Sequence, residues 1–313
     1  MYRADIAVDH EPHKVLMARG EFIDESRHQR HVPYKIYYPA AVRLGPLPLV
    51  IWSHGLGGSR DGAGFISRFL TSHGYVVIHV QHPGTDSGLW EGKPGHPWDV
   101  IRESKYTAED VLNRYRDIPF VLDQLPDYIE NNPDIGQHMD IARLGMSGHS
   151  FGANTTQVMA GQRFGKSGAL QSLKEPRFRA GILYSPVPSF NTESAREEIY
   201  GGISLPLFHM TGTDDTSPIE GFGYERRLEV FGHSSGPEQL LMILTGGDHM
   251  VYNGSRGQLG ENQKRHTHEN IIKVAALAYW DTWLKDDTAA RHWLMEGGFA
   301  AWLDGEGSFT LKV

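Results

Sequence analysis

Cysteine is absent from the 313 residues. That excludes a disulfide framework and a thiolate metal site, and it removes the usual clue to redox compartment. An excess of positive charge is also missing: 30 Lys and Arg face 38 Asp and Glu, for a formal net charge of −8. A nucleic-acid binder needs a basic surface for its phosphate contacts, so we expect no nucleic-acid partner. No apolar stretch approaches the roughly 20 residues that a membrane span requires. The opening MYRADIAVDHEPHKV has neither the basic start nor the apolar run of a signal peptide. A soluble chain without a membrane span is expected, either cytoplasmic or secreted with its leader removed. Repeats, low-complexity tracts and linkers are not evident either.

Strand and helix signals are present, and they alternate. LPLVIWSHG (47–55) and GYVVIHV (74–80) are continuous apolar runs of the kind buried on both faces of a parallel sheet, with a helix-compatible AGFISRFLTSHG between them. Further strands are expected at 140–147, 178–185, 205–212 and 239–247, and a long helix at HENIIKVAALAYWDTWLKDD. Thr107 and Asp110 mark a helix start before a stripe of Val111, Tyr115, Ile118, Leu122 and Leu125, in which Pro119 predicts a kink or a late start. Ahead of these, residues 20–38 read as an antiparallel hairpin at a sheet edge, with Val32, Tyr34, Ile36 and Tyr38 alternating against polar neighbours. The expectation is one α/β domain over 1–313, a doubly wound and mostly parallel sheet with an N-terminal antiparallel hairpin. About 20 residues separate the strands at 178 and 205, too few for a separate lid domain.

Two serines stand in a G-x-S-x-G setting, Ser150 in GHSFG and Ser234 in FGHSSG. The pattern alone is weak, since this composition yields about 0.3 matches by chance. A nucleophile elbow needs a buried strand before the serine, small flanks for the tight turn and a helix after it. Ser150 has DIARLGMS before it and ANTTQVMAGQRF after it, whereas Gly236-Pro237 follows Ser234 and leads toward a strand. Ser234 is expected to be a polar turn between elements. A serine hydroxyl becomes nucleophilic when a histidine takes its proton and a carboxylate orients that histidine. Downstream of Ser150, in that order, come a strand ending in Asp214-Asp215 and a strand ending in Gly247-Asp248-His249. Asp215 is preferred over Asp214 as the acid, and His249 is the base. The oxyanion donors would be the Phe151 N–H and one from SHGLGGSRDG, most plausibly Leu56. That run is no dinucleotide loop, because Arg60 stands where the last glycine belongs. His266, His268 and Glu269 read as a solvated helix start rather than metal ligands, because side chains two apart diverge on a helix; no metal and no cofactor are expected. The long 81–100 loop, leaving the carboxyl end of a strand, is a candidate pocket wall in which Trp90 and Trp98 would contact substrate or pack on the surface.

WSHGLGG, GHSFGA, GTDD and GGDH, in this order, resemble the α/β-hydrolase superfamily, and within it the dienelactone hydrolase-like and platelet-activating-factor acetylhydrolase-like serine esterases. The similarity extends to VPYKIYYPA, to RYRDIPFVLDQL and to the terminal helix followed by WL, over roughly residues 20 to 295. It implies Ser150 as nucleophile, His249 as base, Asp215 as acid, and Leu56 and Phe151 as oxyanion donors. Relatives of true dienelactone hydrolase carry a cysteine nucleophile, which this chain lacks. Ala153 stands where many acyl-esterase relatives have a second glycine, a small change. The activity expected is hydrolysis of short-chain or accessible esters, phospholipid-type or polyester included, through an acyl-enzyme. A peptidase or amidase with the same triad and a noncatalytic binding protein are the rival classes.

Overall fold

The computed structural model describes residues 8, 10–40, 45–254 and 260–312. Nine strands form one sheet: β1 (Val15–Asp24), β2 (Arg30–Pro39), β3 (Leu47–Ser53), β4 (Val76–Val80), β5 (Met139–His149), β6 (Phe178–Tyr184), β7 (Leu207–Asp214), β8 (Gln239–Asp248) and β9 (Gly307–Lys312), in the order β1-β2-β4-β3-β5-β6-β7-β8-β9. From β4 to β8 every neighbouring pair is parallel. The β1–β2 hairpin and β9 cap the two ends antiparallel. Ten α-helices lie among the described residues: α1 (Gly64–Ser72), α2 (Pro97–Glu103), α3 (Ala108–Asn131), α4 (Pro133–Gly136), α5 (Phe151–Ala160), α6 (Arg196–Tyr200), α7 (Tyr224–His233), α8 (Arg265–Leu284), α9 (Thr288–Met295) and α10 (Gly298–Leu303).

Both faces of the sheet are covered, which is why its central strands read as unbroken apolar runs. In β3, Val50 and Trp52 join a core cluster with α1 and α8, while Leu49 and Ile51 point the other way into a cluster with Tyr115, Ile118, Val121 and Leu122 of α3. Helix α8 is buried on nearly all sides from Ile271 to Leu284. Gly145 of β5 makes room for it, since a Cβ there would lie 2.5 Å from the Trp280 ring.

Two expectations need correction. Helix α3 does not start late. It begins at the Thr107–Asp110 capping box and runs through Pro119 and Pro126. The buried stripe continues from Tyr115 to Tyr128, and its packing outweighs the roughly 3 kcal/mol that an interior proline costs. Ser234 stands, as expected, in the connection between α7 and β8. It is buried at the C-terminus of α7, where its hydroxyl donates to the Val230 carbonyl at 2.6 Å. His268 is not solvated but buried against the sheet, on the opposite side of α8 from exposed His266. Helix α7 and strand β9 had no expectation at all.

Candidate active site

The parallel block brings the carboxyl ends of β3, β5, β7 and β8 to one edge, and the loops beyond them carry the candidate residues. Ser150 sits between β5 and α5 with φ 56° and ψ −117°, a conformation that a non-glycine residue adopts only under tight constraint. The glycines on either side explain how the turn fits. A Cβ on Gly152 would run into the Ser53 carbonyl, and one on Gly148 into the Gly152 carbonyl. Tyr184 O accepts from the Ser150 N–H at 2.9 Å and ties the elbow to β6. Phe151 is the first residue of α5, so its N–H has no partner within the helix.

Asp215 and His249 meet beyond β7 and β8. Nδ1 of His249 donates to Asp215 Oδ1 at 2.7 Å. A carboxylate only accepts, so Nδ1 carries the proton and Nε2 is left as the basic nitrogen. Oδ2 of Asp215 accepts from Thr211 Oγ1 at 2.8 Å. Burial opposes the charge of Asp215, but Arg227 and His249 outweigh it and hold the carboxyl well below the usual carboxylate range. Asp214, by contrast, is exposed, and among the described residues its carboxylate accepts only from Thr213 Oγ1 at 3.2 Å.

Two residues that the sequence did not flag complete this arrangement. Arg227 of α7, fully buried, donates through Nη2 to Asp215 Oδ1 at 3.0 Å and comes within 3.1 Å of His249 Nδ1. Its other nitrogens donate to the carbonyls of Asp215 and Pro186, at 3.1 and 3.0 Å. Adjacent Arg226 instead stacks on Phe190 and Phe222, and nothing in YERRLEVFGH distinguishes the two arginines. The second residue is His149, immediately before Ser150. Its Nε2 donates to the His249 carbonyl at 2.8 Å, and burial holds its pKa down at about 3, so it stays neutral. The chain neighbour of the serine therefore anchors the loop of the histidine. Burial and Arg227 push the His249 pKa down, Asp215 pulls it up, and the net direction is downward. The imidazole is therefore unprotonated at neutral pH.

Ser150, Leu56 and Ile219 border two adjoining cavities. One, of about 280 Å3, extends past Phe151 between Tyr106, Tyr115, Phe164, Phe190 and Phe222. The other, of about 340 Å3, contains His249 and is walled by Trp90, Trp98, Ile101 and Met250. Trp90 is fixed by a 2.7 Å bond from Nε1 to the Gly57 carbonyl. The structure thus brings Ser150, His249, Trp90 and Trp98 around one cavity, with Leu56 and Phe151 at the junction of the two. Among the described residues no hydrogen bond joins Ser150 Oγ to His249 Nε2; in many enzymes that bond tightens only once substrate is bound. The walls from 162–170 and 187–191 carried no signal in the sequence, because their residues converge only through loop packing.

A mostly parallel sheet with an elbow after its fifth strand, and an acid and a histidine after its seventh and eighth, defines the α/β-hydrolase fold. Within that fold the chain is similar to the platelet-activating factor acetylhydrolases. Residues 32–89 match the family model described as platelet-activating factor acetylhydrolase, isoform II. The platelet-activating factor acetylhydrolase of Cavia porcellus is 26% identical over 211 residues, covering 56% of this chain and 43% of the relative. The Canis lupus familiaris protein of the same name is 25% identical over 228 residues (63% and 46%), and that of Bos taurus 28% over 193 residues (51% and 39%). The chain thus spans less than half the length of each of these relatives. No helix among the described residues is long and apolar enough to cross a membrane.

Proposed function

We propose that the protein is a serine carboxylic-ester hydrolase with Ser150 as nucleophile, His249 as base and Asp215 as the orienting acid. The observation that carries this reading is the 2.7 Å bond between buried Asp215 and His249 Nδ1, which leaves Nε2 basic in a cavity that also holds the elbow serine. Ser150 Oγ attacks the ester carbonyl as Nε2 accepts its proton. The carbonyl oxygen becomes an oxyanion held by the Leu56 and Phe151 N–H groups. Collapse expels the alcohol, which takes the proton from His249. Water then attacks the acyl-serine through the same base and releases the acid.

The leaving alcohol lies on the His249 side, against Trp90 and Trp98, and the acyl group enters the aromatic cavity past Phe151. The name of the relatives supports an acetyl or other short acyl ester of a phospholipid as substrate. The decisive experiment measures hydrolysis of p-nitrophenyl acetate, a longer acyl series and a peptide anilide by the wild type and Ser150→Ala. Ester turnover that falls steeply with chain length and vanishes in Ser150→Ala is expected. Unchanged turnover in Ser150→Ala, or preference for the anilide, would overturn the proposal.

A further inference from the structure

Behind the oxyanion loop lies a second Ser-His-Asp chain that takes no part in the chemistry above. Asp117 of α3 accepts from His82 Nδ1 at 3.0 Å, and His82 Nε2 faces Ser53 Oγ at 3.0 Å. All three side chains are fully buried and outside both cavities, so none can meet an ester. The proton positions follow by elimination. Asp117 only accepts, so neutral His82 donates from Nδ1 and accepts at Nε2, and the Ser53 hydroxyl must donate to it. Ser53 Oγ then accepts from Arg114 Nη2 at 3.0 Å.

Arg114 opens the RYRDIPFVLDQL segment. It is fully buried, and among the described residues no carboxylate lies within ion-pair distance of its guanidinium. Its donors go instead to Thr85 Oγ1 (3.0 Å), Thr155 Oγ1 of α5 (2.8 Å), Ser53 Oγ and the His54 carbonyl. The guanidinium also lies 4.4 Å from the centroid of the Phe151 ring. One rigid cation thus touches the residues flanking both backbone donors: His54, two before Leu56, and Phe151 itself. The loop between them is braced further by His54 Nδ1 donating to the Gly55 carbonyl at 2.7 Å, by Gly58 N–H to the same carbonyl at 3.0 Å and by Gly57 N–H to Thr85 O at 2.9 Å. Asp117 is in turn gripped by Arg30, through two bonds of 2.8 Å, and by Arg27. The chain therefore runs from the β1–β2 hairpin to the oxyanion loop.

We propose that Arg114 is a positioning residue for the oxyanion hole: it clamps the Leu56 loop against the start of α5 and places a buried positive charge behind the developing oxyanion. The Ser53–His82–Asp117 chain orients its guanidinium. This rests on the hydrolase reading above. The test compares wild type, Arg114→Met, Arg114→Lys and Thr155→Val, with kcat and KM for p-nitrophenyl acetate, inhibition by a trifluoromethyl ketone that forms a tetrahedral adduct on the serine, and thermal unfolding as the control for folding. Arg114→Met is expected to lose about 10- to 100-fold in kcat, with KM within about threefold and ketone affinity falling in step with kcat. Arg114→Lys, which keeps the charge and loses the planar fork, recovers part of the loss. Folded Arg114→Met with kcat and ketone affinity within threefold of wild type would overturn the inference, while loss of turnover in Ser150→Ala leaves the hydrolase reading standing. Should Arg114→Met not fold, Thr155→Val, which removes the Arg114 Nε bond together with the 3.0 Å bond from Thr155 Oγ1 to the Phe151 carbonyl, carries the test: a loss of kcat and ketone affinity with KM unchanged supports the clamp, and parity with wild type overturns it.

Discussion

Lowering the pH from 7 to 5 is expected to remove about 7 to 8 kcal/mol of folding stability, and four buried imidazoles account for the loss. Burial holds the pKa of His79 and His149 at about 3 and that of His82 and His209 at about 4. In the unfolded chain the same groups titrate near 6.5. Between those limits the unfolded state binds more protons than the folded one. Stability therefore rises with pH across the window and is lost as pH falls from 6.5 toward 4. Integrating this linkage for one imidazole from pH 7 to pH 5 gives about 2 kcal/mol, so four together match the 5 to 15 kcal/mol typical of a whole domain. His54 shifts in the same direction, through burial first and Arg114 second, and adds to the loss. Urea unfolding followed by fluorescence of the seven tryptophans at pH 7, 6 and 5, at constant ionic strength, measures the effect. A loss below about 2 kcal/mol, the contribution of one histidine, would refute the claim that these rings are neutral when folded. His209, which faces Gln239 Oε1 at 3.0 Å outside both cavities, provides an internal check. His209→Gln should shrink the pH dependence by about one proton while ester hydrolysis stays intact.

Asp215→Asn is expected to lower kcat by up to about 10⁴-fold, because the amide favours the wrong His249 tautomer, whereas exposed Asp214→Asn stays within about threefold; equal losses would move the acid role. The acid limb of the kcat/KM profile should have its midpoint below about 6.5, since burial and Arg227 push His249 down. Arg227→Gln should move that limb to higher pH and Arg227→Lys restore it, and an unchanged midpoint in Arg227→Gln would refute a role for its charge. Gly152→Ala should abolish turnover and lower Tm, because the added Cβ meets the Ser53 carbonyl, which belongs to a central strand and cannot move aside; a stable, active variant would contradict the tight elbow. We also propose that residues 1–313 fold as one domain, for which calorimetry should show a single transition.

Much of this protein is legible in the residues themselves, because the relevant rules are local. Continuous apolar runs mark strands covered on both faces, Thr107 with Asp110 caps α3, and Ser150 between a buried strand and a helix resembles an elbow. The order of serine, acid and histidine, with the strand-end position of each, follows from the same reading. What the sequence left open depends on contacts across the fold. Tertiary packing brings Asp215, the carboxylate preferred from the sequence, against His249, and it alone buries Arg227 and leaves Arg226 on the aromatic surface. It carries α3 through Pro119, because helix propensity is a small energy beside a buried stripe. It pairs β9 against β8, although GSFTLK is short and little different from a tail. Above all, it gathers His149, Arg114 and the Ser53–His82–Asp117 chain around the candidate site. Each of these side chains is an ordinary polar residue in the sequence, and its role depends on which partners reach it once water has been excluded.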